Sequence, residues 1–170
     1  MLPKIILILM LFIPGFFHAG PACAHAPGQS LISLNVHDGK IDGTLKIYYS
    51  DLPLLIDGLP FGVPSAKDPN RLRYENMILD FLQQHIHFHD GARPLSDETR
   101  FLEIQEIDDQ SNVIVALEIS PLPANLPALL IEQQGFYGTN PQFTTLVTLY
   151  TGTHYKTIIL SRQESRAQLY

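Results

Sequence analysis

The 170-residue chain has one cysteine, no tryptophan and, after Ile13, no apolar run approaching the length of a membrane-crossing helix. A single cysteine excludes an intrachain disulfide framework and any zinc site built from several cysteines. Eleven Lys and Arg stand against 17 Asp and Glu, with no basic cluster. That balance argues against a nucleic-acid partner and against a polybasic membrane-surface patch. Glycine-rich phosphate loops, the Gly-x-Ser-x-Gly elbow and the acidic calcium loop are all missing. Hydroxyl residues and histidines coexist, but no spacing nominates a Ser–His–Asp set. Glu103, Glu106, Asp108 and Asp109 border a turn, where solvated charge is expected. The chain therefore reads as non-enzymatic.

What is present begins with an address. Residues 1–24 have the layout of a secretory signal peptide, with Lys4, the apolar run Ile5–Ile13, the break Pro14-Gly15 and the small-residue site Ala22-Cys23-Ala24. The apolar run is too short to span a bilayer, which takes about 20 residues. Cleavage after Ala24 would make His25 the mature N-terminus and remove Cys23. Lipid anchoring at Cys23 is disfavoured by Gly20 and Pro21 at positions −3 and −2. The expectation is a periplasmic or extracellular protein, with residues 25–170 forming one domain and no membrane span of their own.

That domain alternates. Ser30–Val36 places Ile32, Leu34 and Val36 on one face, Asp38-Gly39 supplies a tight turn, and Ile41–Tyr49 runs back as the second arm of a hairpin. Asp68-Pro69 resembles a helix start, and Tyr74, Met77, Ile78, Phe81 and Leu82 make one stripe of an amphipathic helix over about 69–84. His85–His89, Phe101–Ile107, Val113–Ser120, Ala128–Tyr137, Phe143–Tyr150 and Tyr155–Ser161 read as further strands. Pro121, Pro123 and Pro127 mark a crossing outside the central strands. Tyr48-Tyr49 and Phe136-Tyr137 could line a groove or fill the core. The pattern predicts a mainly β fold: an antiparallel, Ig-like β-sandwich of seven to nine strands with one crossover helix.

The sharpest chemical feature is the run His85-Ile86-His87-Phe88-His89. On a strand, alternate side chains share a face, so the three imidazoles would project together, roughly 7 Å apart along the strand. Imidazoles at that spacing can converge on copper, nickel or zinc, none of which is otherwise called for by the sequence. His25, as a new N-terminus, could add its α-amine and ring nitrogen. The alternative is that Ile86 and Phe88 face the core while the histidines simply face solvent.

Several short motifs occur in a distinctive order: Ala24-His25 before a Ser-bearing first strand, Gly43-Thr44-Leu45-Lys46-Ile47 with Asp51-Leu52, His89-Asp90-Gly91-Ala92-Arg93-Pro94, Phe136-Tyr137 with Asn140-Pro141, and Thr157–Ser161. In this order the chain resembles the extracytoplasmic N-terminal region of bacterial HupE/UreJ-type membrane proteins. The resemblance implies an extracytoplasmic β-sandwich associated with transport of nickel or another metal. The His- and Asp-containing membrane motif of that group is absent here, so transport itself does not carry over. Two functional expectations follow. One is an accessory domain that captures or delivers a transition metal through His25, His85, His87 and His89. The other is an interaction module that docks on a membrane transporter or permease, through a sheet edge or the proline-rich crossing, without a metal site.

Overall fold

A computed structural model describes residues 28–107, 111–138 and 140–170. The elements, in chain order, are β1 (Gln29–His37), β2 (Lys40–Tyr48), a 3-10 turn (Tyr49–Asp51), the short helix α1 (Leu52–Leu55) and α2 (Arg71–His85). There follow β3 (Ile86–Asp90), β4 (Arg93–Pro94), β5 (Thr99–Ile107), β6 (Asn112–Ile119), β7 (Leu129–Gln133), β8 (Thr144–Thr151), β9 (His154–Leu160) and β10 (Arg166–Gln168). Six strands form one sheet in the order β5-β6-β2-β1-β8-β9, and four form a second in the order β10-β7-β3-β4.

Alternation accounts for most of this. Ile32 and Leu34 of β1, Leu45 and Ile47 of β2, Val113, Val115 and Leu117 of β6 and Val147 and Leu149 of β8 are all buried. From the second sheet come Ile86, Phe88 and Ile131, and these residues form one continuous core with those of the first. A two-sheet sandwich is the geometry that lets both apolar faces leave water at once. The β1–β2 turn places Asp38 at φ 46° and Gly39 at φ 77°, the paired positive angles that match the twist of a two-residue hairpin. Gly43 of β2 sits where the sheet is tightest: a Cβ there would lie 2.7 Å from both Leu34 Cδ2 and the Ser33 carbonyl.

The structure corrects several expectations. Among the described residues ten strands stand where seven to nine were expected, the extra ones being β4 and β10, which span only two and three residues. The body is not wholly antiparallel: β1 runs parallel to β8, pairing Ser30 with Thr145 and Leu34 with Leu149. The helix begins at Arg71, two residues past the expected start. The Asp68 carboxylate accepts the Asn70 N–H at 2.8 Å and holds a turn ahead of the helix rather than capping it. Its stripe does face inward, with Ile78, Phe81 and Leu82 buried. The strand expected over 128–137 closes at Gln133, and a turn at Gly135–Gly138 carries Phe136 into the core. Tyr49 is buried as well, while Tyr137 lies half-buried with its hydroxyl shielded, which pushes its pKa up to about 12. Tyr49, Phe136 and Tyr137 thus serve packing.

Candidate functional site

The histidine run divides at a secondary-structure boundary. His85 is the last residue of α2 and does not belong to the strand. Its Nδ1 lies 2.8 Å from the Phe81 carbonyl one turn back, and its ring stacks on Phe81 at 4.3 Å between centroids. Gly135, at φ 79°, leaves room for that ring; a Cβ there would overlap the imidazole. The His85 carbonyl accepts the N–H of Gln134 at 2.7 Å. So His85 ends a helix and wedges against the turn after β7.

His87 and His89 do share a face, opposite the buried Ile86 and Phe88, as strand geometry requires. Across the ladder, His87 faces Glu132 and Glu132 faces Arg166. His89 Nε2 lies 3.4 Å from Glu132 Oε2, and the His89 side chain is only 15% exposed. Neither of its ring nitrogens makes a hydrogen bond among the described residues. Burial lowers the His89 pKa below 6.5, and the Arg166 and His87 charges push the same way, while Glu132 opposes them. Arg166 reaches across to the Gly91 carbonyl, 3.4 Å from its Nη2. A guanidinium laid over the strand disfavours a second cation there. Among the described residues no three His, Cys, Asp or Glu side chains gather so as to hold a metal ion. His25 lies outside the described residues. Of the four expected ligands, the fold thus keeps His87 and His89 together and diverts His85. Asp108 and Asp109 also lie outside the described residues, and Glu103 is exposed on β5.

One open surface was not singled out by the alternation pattern: the β9 side of the six-stranded sheet. Every residue from His154 to Thr157 is exposed, with Tyr155 at 71% and Ile159 at 56%. The β8–β9 hairpin turns through Gly152 and Thr153, with Thr151 paired to His154. A pair that closes a two-residue turn exchanges both of its hydrogen bonds. Alternate pairs from there do the same, so the N–H and C=O of Tyr155, Thr157 and Ile159 point away from β8. They have no backbone partner among the described residues. On the outer face Leu31, Leu146 and Ile159 align in one row, and Tyr150 and Tyr155 in another, with ring centroids 6.0 Å apart. Thr148 and Thr157 hydrogen-bond at 2.9 Å between the two rows. The inner side of β9 borders an open groove lined by Leu130, Lys156, Ile158, Glu164, Arg166 and Gln168.

No helix among the described residues is long and apolar enough to cross a membrane. Comparison of the chain with models of known protein families finds no match, and comparison with curated proteins finds none.

Proposed function

We propose that this is an exported, non-enzymatic accessory domain that works by protein contact, and that its working surface is the β9 edge. The observation that carries the reading is the row of unpaired backbone groups at Tyr155, Thr157 and Ile159 beside an apolar outer face. A bare edge of that kind is a template for an added strand. The partner we favour is a membrane transporter or permease of the cell envelope, the setting implied by the resemblance to HupE/UreJ-type proteins and by the signal-peptide pattern. The test is a photo-crosslinking residue placed at Thr157 and, as a control, at Arg100 on the opposite edge, in the chain expressed with its leader. The expected result is an envelope-protein adduct from position 157 alone, on a chain whose intact mass begins at His25. Equal adducts from both positions, or a product retaining residues 1–24, would overturn the reading.

Metal capture is the second reading, favoured by the shared face of His87, His89 and Glu132, with His25 supplying further nitrogen. Titrating copper, nickel and zinc into the exported protein decides it. Binding tighter than about 10 µM that is lost in His87→Ala upholds metal capture, and its absence removes it.

A further inference from the structure

Resting on the docking reading, we infer that a second copy of the chain occupies the β9 edge when no other partner does. The argument is one of register. In an antiparallel pairing of β9 with its own copy about Thr157, Tyr155 faces Ile159 of the other copy, Thr157 faces Thr157, and Ile159 faces Tyr155. These are the three residues whose N–H and C=O point out of the sheet. Each facing pair can therefore exchange both backbone hydrogen bonds, and no group on the edge is left facing a side that is already paired. A register moved by one residue would set outward groups against inward ones.

The side chains agree with that register. All three outward-facing residues project on the outer face, so the pairing sets an aromatic ring beside a β-branched chain twice and a threonine beside a threonine once. Such cross-strand neighbours are favourable. Lys156 is the only Lys, Arg, Asp or Glu between His154 and Leu160. In this register it meets Ile158 of the other copy and not a second Lys156, and its Nζ already donates to the Tyr170 main-chain oxygen at 3.0 Å. No like charges oppose one another along the seam. The two-fold axis makes the contact closed, giving a dimer rather than a filament, and it joins two six-stranded sheets into one. The consequence for function is regulatory: self-pairing shields the docking edge until a competing strand displaces it.

Sedimentation equilibrium of the exported protein tests this, with a dimer expected at about 100 µM. Thr157→Pro removes an outward N–H and should raise the dissociation constant at least about tenfold, while Arg100→Ser on the opposite edge should leave it unchanged. Thr157→Cys in a Cys23→Ser background should form a disulfide-linked dimer under mild oxidation, because facing residues of a paired seam lie within disulfide reach. That crosslink decides the matter alone should circular dichroism show Thr157→Pro to be unfolded. A monomeric unaltered chain, or Thr157→Cys that stays unlinked, would overturn self-pairing. A monomer that still crosslinks to an envelope protein from position 157 would overturn self-pairing only and leave docking standing.

Discussion

The two edges of the six-stranded sheet are handled in opposite ways. On β5 the edge is closed from within the molecule. Helix α2 lies along it, and the Gln83 side chain stands in for a neighbouring strand: its amide nitrogen donates to the Thr99 carbonyl at 3.2 Å, and its oxygen accepts the Phe101 N–H at 3.4 Å. Two register shifts, between Phe101 and Glu103 and between Ile104 and Glu106, break the rest of the strand, and Arg100 and Glu103 lie exposed there. Bulges, charge and a covering element are the devices by which proteins stop unwanted strand addition. Among the described residues β9 has neither a bulge nor a covering element and carries a single charge, Lys156: its register with β8 is unbroken from Thr145–Leu160 to Thr151–His154. One edge is sealed and the other is left open, and the open one also bears the exposed Tyr155 and Ile159. That asymmetry is what supports the proposal of β9 as a docking surface.

Four perturbations would break or sharpen that contrast. The largest effect belongs to the strand between the edges. Leu45 of β2 is fully buried, and Leu45→Ala should cost about 2–5 kcal/mol in urea unfolding. A loss no greater than that of an edge variant would mean that the sheet has no stable centre. Next, Gln83→Ala should cost about 1 kcal/mol by unpairing two backbone groups, and should produce new self-association through β5, visible as a larger sedimentation coefficient. No change in either quantity would show that the bulges alone seal that edge. Thr157→Pro should lower stability by well under 1 kcal/mol, roughly, because the N–H it removes has no partner in the sheet and edge strands tolerate proline; a large loss would place that N–H inside the ladder.

The smallest effect lies away from both edges, at the start of β1. Asp51 is buried, and its Oδ2 accepts the Gly28 N–H at 3.1 Å. Burial raises its pKa above the ordinary 3.8, and the Gly28 hydrogen bond opposes this only in part. The folded state therefore binds the proton at higher pH than the unfolded chain does, so this group's contribution to stability falls as pH rises from about 4 through the folded pKa. Asp51→Asn keeps an acceptor for Gly28. It should flatten that slope and raise stability at pH 7 only slightly. A variant with an unchanged slope between pH 4 and 7 would show that Asp51 does not titrate abnormally.

How much of this was legible in the sequence follows from which forces are local. Alternation placed eight strands because burial of every second side chain is written residue by residue, and Asp38-Gly39 announced its turn for the same reason. The partner of each strand is not local. Nothing in Ser30–Val36 distinguishes a parallel neighbour 115 residues away, met through the 2.7 Å contact of Ser30 with Thr145, from an antiparallel one. Strands of two and three residues carry too few side chains to show a period. The His85–His89 run misled for a related reason: its alternation is real from Ile86 onward, but the amphipathic stripe of the preceding helix continues through Leu82, and the backbone turns extended only at Ile86. The open edge was invisible because β9, with alternating Tyr155, Thr157 and Ile159, looks like any other strand until its neighbours are known.

The parallel pairing of β1 with β8 bears on the order of assembly. The first described strand lies in the middle of the large sheet, and one of its two neighbours follows far along the chain, Thr145 coming 115 residues after Ser30. A chain that must bring together such distant segments folds slowly. The large sheet therefore cannot close before β8 has been made, so β1 and β2 must wait as an incomplete hairpin while the more than 90 residues between β2 and β8 are laid down.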